Sequence, residues 1–276
     1  MKTKRERRNN RITGAILIFI AICFALPLAW MLLASVDGDA IQSIQWPEKF
    51  TFDNYRAVLT SREHLIGFRN SLIISCVQVV IVMFCSLLAA YPLSKGNIKH
   101  SQKITMGLLF MTSLPILSVM VPVYQLFLML KVVDNMFALI LFMSASAIPY
   151  AIWMCKNFYD AVSDDLEEAA SIDGASRLRC LWSVILPIMK PGIFTVAVYT
   201  FIGSWGNFFV PFILIFDSEK FTASMNIYRF FNMDGEVLYG QIAAYSILYS
   251  VPVVVLYSFA QSNMAKGFSM DGASKG

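Results

Sequence analysis

Residues 12–34 read ITGAILIFIAICFALPLAWMLLA, a stretch without a single charged side chain. A helix of about 20 apolar residues spans the hydrocarbon core of a bilayer, so this stretch decides which solvent the fold is built for. The basic leader Met1–Arg11 before it would also suit a signal peptide. The apolar run exceeds the roughly 7–15 residues of a cleavable one and lacks an A-x-A site, so it is expected to stay as a first span. Five further runs follow at Ser71–Leu93, Ile104–Leu130, Met136–Met154, Ile193–Phe216 and Ile242–Ala260.

The composition agrees. Of 276 residues, 57% are hydrophobic and 14% charged, where soluble domains carry roughly a quarter charged. That excludes a soluble globular domain, a disordered chain, a basic nucleic-acid module and a disulfide-stapled miniprotein. With no internal repeat, low-complexity tract or linker, residues 1–276 are expected to form one all-α polytopic domain of six transmembrane helices. Lysine and arginine favour the cytoplasmic side of short loops. With the N-terminus inside, 15 of the 22 basic residues fall on inside segments, which places both termini in the cytoplasm.

Several chemistries are missing. His64 and His100 are the only histidines, fall on opposite sides, and are expected to be solvated loop residues, so neither a Ser-His-Asp triad nor a multi-histidine metal site is indicated. The five cysteines have no C-x-x-C spacing and are expected to be buried, inert thiols. No G-x-x-x-x-G-K-[ST] loop occurs, so ATP driving this chain would have to bind elsewhere. The spans hold essentially no charge, which disfavours an ion-coupled carrier. Catalytic, metal-binding and cofactor-binding residues are therefore expected to be absent.

The most informative segment joins spans four and five. Ser163-Asp164-Asp165-Leu166-Glu167-Glu168-Ala169-Ala170-Ser171-Ile172-Asp173-Gly174 reads as a short helix, with Asp164 as N-cap, Glu167 completing a capping-box-like pair and Gly174 at C′. Leu166, Ala169, Ala170 and Asp173 share one face. A second helix is expected from about Ser176, with Leu178, Leu181, Trp182 and Ile185 at the same period, before Pro187 and Pro191 interrupt the chain. The acidic first helix faces anionic lipid badly, so hairpin 157–191 is expected to dock on a cytoplasmic partner.

Glu168-Ala169-Ala170, three residues, Gly174, nine residues, Val184, one residue, Leu186-Pro187 resembles the EAA-x3-G-x9-I-x-LP signature of ABC-importer permeases, with Val184 as the one departure. Pro47, Asn54-Tyr55, Asn70-Ser71, Pro122-Val123-Tyr124 and the ending Gly272-Ala273-Ser274-Lys275-Gly276 extend the resemblance to MalG-type permeases of the carbohydrate-uptake branch. Val132-Val133-Asp134-Asn135 departs from that branch's Gly-Leu-x-Asn turn, and Trp205-Gly206-Asn207-Phe208 from its Trp-Asn-[Asp/Glu/Asn]-Phe.

The resemblance implies a type I ABC-importer transmembrane domain in a bacterial inner membrane. It also implies a second, non-identical permease, two ATPase subunits that bind ATP and Mg, an extracytoplasmic solute-binding protein, and a carbohydrate, most simply an oligosaccharide, as cargo. On this reading the chain is no enzyme. Glu167, Glu168, Ala169, Ala170, Asp173, Gly174, Leu186 and Pro187 couple it to the ATPase, and Gly272 and Lys275 reach the ATPase from the C-terminus. Span five supplies Trp205 and Phe208 as faces for a sugar ring and Asn207 as donor and acceptor; ordinary packing of these three is the alternative. Other polar cargoes, such as a glycerol phosphodiester or a polyol, and a secondary carrier are the competing functions.

Overall fold

The computed structural model describes the backbone at residues 4–96, 98–230 and 237–273, and side chains at 12–96, 98–227, 230 and 237–261. The chain forms two compact units, Met1–Leu65 with Ile227–Val251, and Ile66–Asn226 with Pro252–Gly276. The helices are α1 (Lys4–Ser35), α2 (Asp53–Thr60), α3 (Arg62–Lys95), α4 (Ser101–Thr112), α5 (Ile116–Met129), α6 (Met136–Asp160), α7 (Asp164–Ile172), α8 (Arg177–Cys180), α9 (Leu186–Ile188), α10 (Lys190–Trp205), α11 (Phe209–Leu214), α12 (Ala223–Asn226) and α13 (Tyr239–Ala273). An isolated antiparallel bridge pairs Asp37 with Phe50.

Among the described residues four helices are long and apolar enough to cross a bilayer, Ile12–Ser35, Arg62–Lys95, Met136–Asp160 and Tyr239–Gln261, and two bent pairs, Ser101–Thr112 with Ile116–Met129 and Arg177–Ile188 with Lys190–Trp205, bring the number to as many as six. The third expected span is one of these pairs. It is broken rather than straight, because α4 and α5 meet at 84°. Pro115 lacks an N–H and disfavours helical geometry at Leu114, which stops α4 at this point. The fifth expected span is also broken. Its helix α10 ends at Gly206, and α11 resumes at Phe209 after a three-residue interruption.

In the first unit, Asn54 fastens α2 to the end of α1, its Nδ2 donating to the carbonyls of Ser35 at 3.2 Å and Asp37 at 2.8 Å. Tyr55 adds a 2.9 Å bond to Ser35 Oγ. His64 corrects the expectation of a solvated loop residue. It is buried, stacked on Phe230 at 4.8 Å and edge-on to Tyr245 at 5.2 Å. The α3 helix begins at Arg62, earlier than the apolar run implied, so His64 sits on a packed helical face; His100 is exposed as expected. The thiols also differ from expectation, since Cys23 and Cys76 face outward while Cys155 and Cys180 are buried.

The second unit carries the two main cores. One unites α3, α6, α7 and the segment 180–196 around Tyr159, Leu181 and Ile185. The other joins α3, α5, α6 and α11 around Ile74, Met120, Leu139 and Leu214. Close approach in the first depends on Gly192, where an added Cβ would stand 2.5 Å from the Phe158 ring. At the opposite end of α6, Asn135 caps the helix by accepting from the N–H groups of Phe137 and Ala138. In the turn before it, Lys131 and Asp134 take φ values of 56° and 62°, a region that Asp tolerates better than most residues. Asp134 accepts from the N–H groups of Phe216 and Asp217 and from Lys220 Nζ at 3.1 Å. Burial alone would raise its carboxyl; those donors outweigh burial and hold it below the usual carboxylate range.

Candidate functional site: a docking hairpin and a polar cavity

The hairpin is built as two arms. Ser163, not Asp164, caps α7, accepting from Asp165 N at 3.3 Å. Ser163 is extended at ψ 137°, so Asp164 already lies inside the first turn, where its charge suits the helix N-terminus. Its carboxylate pairs with Lys95 Nζ at 2.5 Å. Glu167 does not fold back to complete a capping box. Its Oε1 accepts a 2.6 Å bond from the Tyr91 hydroxyl at the end of α3. At the other end Gly174 has φ +81°, and the N–H groups of Gly174 and Ala175 close onto the carbonyls of Ser171 and Ala170. This is the Schellman stop that the glycine foretold.

The shared face of Leu166, Ala169, Ala170 and Asp173 divides in the structure. Ala170 is buried against the second arm, whereas Leu166, Glu168, Ala169, Ile172 and Asp173 are exposed. The second arm divides likewise. Leu181, Ile185 and Leu186 are buried, while Leu178 and Trp182 stand 63% and 58% exposed and Pro187 is exposed. Between α8 and α9 the residues Leu181–Ile185 form a π-turn, closed by the Leu186 N–H on the Leu181 carbonyl. A proline at 187 cannot donate to Ser183 and would crowd its carbonyl in an α-helix. The wider turn relieves that conflict.

The second feature is a cavity of about 430 Å³ between α3, α4, α6 and α10, lined by Gln78, Thr112, Met143, Ser146, Ala147, Tyr150, Ala151, Tyr199, Thr200, Gly203 and Asn207. No residue lining it carries a charge. Gln78 donates from Nε2 to the Met143 carbonyl at 3.0 Å, while its buried Oε1 has no partner among the described residues. The rings of Tyr150 and Tyr199 lie 5.0 Å apart, tilted by 36°. An added Cβ on Gly203 would meet nothing within 4 Å, so this glycine opens the wall.

Of the three candidate residues in span five, the cavity takes only Asn207. The break explains its position. With α10 ended at Gly206, Asn207 Oδ1 accepts from the Val210 N–H at 3.2 Å and its carbonyl accepts from Ser224 Oγ at 3.0 Å, which satisfies polar backbone freed within a membrane. Trp205 is instead buried and stacked on Phe201 at 5.8 Å, and Phe208 stacks on Phe212 at 4.9 Å. Tyr150 and Tyr199 were not among the expected site residues, whereas Gln78, polar within its span, both bonds a neighbouring helix and lines the cavity. The usable signal for the tyrosines was their polar-tipped rings within otherwise apolar runs. Of the C-terminal candidates, Gly272 falls in the backbone of α13 and Lys275 lies outside the described residues.

Several helices long and apolar enough to cross a membrane, an uncharged cavity among them and a capped hairpin suit a membrane transport subunit. Residues 5–266 match the family model described as "Binding-protein-dependent transport system inner membrane component". The chain belongs to that family. It is 30% identical over 280 residues to the trehalose/maltose transport system permease protein MalG of Thermococcus litoralis, covering 100% of both chains. It is 25% identical to the maltodextrin transport system permease protein MalD of Streptococcus pneumoniae, covering 99% of this chain and 98% of that one. Among solved structures, a chain of a bacterial ABC transporter involved in the import of the acidic polysaccharide alginate superposes with a TM-score of 0.83 at 21% identity, covering 96% of this chain and 99% of that chain. The fold is thus that of ABC-importer transmembrane subunits.

Proposed function

We propose that this chain is one of two non-identical permease subunits of a bacterial ABC importer for a neutral carbohydrate, most simply an oligosaccharide. The cavity carries this reading. Its hydroxyl and amide groups, the unpaired Gln78 acceptor and the tyrosine pair suit a ring with polar edges and C–H faces, and nothing in its lining would compensate a charged cargo. The named relatives that transport maltose, trehalose and maltodextrin support it.

An extracytoplasmic binding protein would deliver the sugar, and two ATPase subunits would bind ATP and Mg and do the hydrolysis, leaving no bond chemistry to this chain. The hairpin is the surface we assign to the ATPase. Glu168, Ala169 and Asp173 offer charge and close approach on its outer side, flanked by Ile172, Leu178 and Trp182. Ala170 and Leu186 pack its inner side, and Gly174 sets its turn. The contacts of Asp164 with Lys95 and Glu167 with Tyr91 would pass its displacement to α3. The complex reconstituted with its binding protein and ATPase should show sugar-stimulated ATP hydrolysis and uptake with a panel of neutral oligosaccharides. Stimulation by anionic solutes alone would refute the neutral-sugar reading.

A further inference from the structure

The end of α6 nearest the hairpin borders a second cavity. It holds about 420 Å³, and Gln102, Thr105, Trp153, Asn157 and Asp160 are among the residues that line it. Asp160 is held in place, its Oδ2 accepting from Lys156 Nζ at 2.6 Å and its Oδ1 from Ser94 Oγ at 2.5 Å. The Trp153 ring lies 5.4 Å from that of Tyr150, tilted by 37°. Tyr150 in turn lies 5.0 Å from Tyr199 and lines the first cavity. Three rings therefore run in file from one cavity to the other.

The two cavities also share a wall. Ser146, Tyr150, Trp153, Asn157 and Asp160 recur along α6 at intervals of three and four residues, which places them on one helical face. That face carries two successive aromatic rings, with a hydroxyl on one side of them and an amide and a carboxylate on the other. Rings stack on the C–H face of a pyranose, and planar amides and a fixed carboxylate bind its hydroxyls. A row of weak, similar sites lets a solute move on, where one strong site would retain it.

We propose that this face of α6 is the inner exit track for the sugar, with Trp153 as the stacking platform at its cytoplasmic mouth. The inference rests on the carbohydrate reading above. It adds a second saccharide site, built from α4 and α6, below the central cavity.

The test uses the full complex in proteoliposomes with its binding protein and ATPase, and maltotriose, cellotriose and raffinose as probes. Trp153→Leu should lower uptake per ATP several-fold, while ATP hydrolysis stimulated by loaded binding protein stays near the wild-type value. Trp153→Phe, which keeps a ring, should retain at least half of the wild-type uptake. Unchanged uptake in Trp153→Leu, or an equal loss in both variants, overturns the track. A wild-type complex that takes up none of the sugars but does import another solute removes the carbohydrate reading itself, and the track with it. Wild-type complex labelled with 5-fluorotryptophan gives an independent measurement that needs only Trp153→Phe for assignment. The Trp153 fluorine signal should shift when a transported sugar is added inside the vesicles. A signal that stays fixed, or that moves only when the phospholipid headgroup is changed, overturns the proposal even if Trp153→Leu fails to assemble.

Discussion

Tyr91 donates a 2.6 Å hydrogen bond to Glu167, tying the first arm of the hairpin to the end of α3, while Glu168, the next residue, is exposed. Of two adjacent carboxylates on this arm, one is thus tied to α3 and the other is left at the surface. Hydrogen bonds to charged groups contribute about 1.5–3 kcal/mol. Tyr91→Phe should therefore leave the complex assembled but lower uptake per ATP, whereas Glu168→Lys should weaken co-purification of the ATPase. Equal co-purification and equal coupling in both variants would contradict this division of roles.

Gly174 sits at φ +81° with nothing within 4 Å of an added Cβ, so its constraint is conformational and not steric. Left-handed geometry costs most L-residues roughly 1–2 kcal/mol. Gly174→Val should lower transport several-fold without loss of membrane insertion, and Gly174→Asn should recover most of it, because Asn tolerates this region. Uptake assays on the two variants at matched expression would check the order.

At Gly192 the constraint is steric. A methyl group there meets the Phe158 ring at 2.5 Å, and overpacking of this kind costs about 1–3 kcal/mol. Gly192→Ala should lower the melting temperature of the purified chain, and adding Phe158→Leu should recover part of the loss. Additive effects of the two substitutions would refute the contact as its cause.

Gly203 is the opposite case. A side chain there has room, and the room is the cavity. Gly203→Ala should raise stability by about 0.8–1 kcal/mol, the usual gain within a helix. Gly203→Leu should assemble normally yet reduce sugar uptake, as measured by transport at saturating binding protein.

The clasp between Asp134 and Lys220 should respond to pH. The lowered carboxyl of Asp134 contributes stability above its unfolded value of about 3.9, and loses it as pH falls through the folded value. Lys220 is raised, first by its bond to Asp134, so its contribution is complete below about 10.4 and fades as pH rises through the folded value. Asp134→Asn should melt below wild type at pH 7, and the gap should close as pH falls below 4.

The order of spans and the hairpin were legible because long apolar runs and the Gly174 stop are local signals. The break before α5 was half-legible. Pro115 marks it, but an unbroken apolar run on either side hides it, and the 84° angle is set by packing. The cavity was less legible still. Which of Trp205, Asn207 and Phe208 faces inward depends on where α10 ends, and Gln78 joins Asn207 only through the approach of α3 to α10. His64 was misplaced because a helix that begins before its apolar run leaves no mark in composition.

The π-turn at Leu181–Ile185 has one residue more than an α-helical path would use. Because the wider turn absorbs that residue, Leu186 and Met189 keep the phase that buries them at 8% and 1% exposure. Deleting Ser183 would tighten the second arm to an α-helical path, set Pro187 against the carbonyl four positions back, and shorten the EAA-to-LP spacing by one. The nine-residue interval of the motif is therefore a phase setting, counted in angle as much as in length.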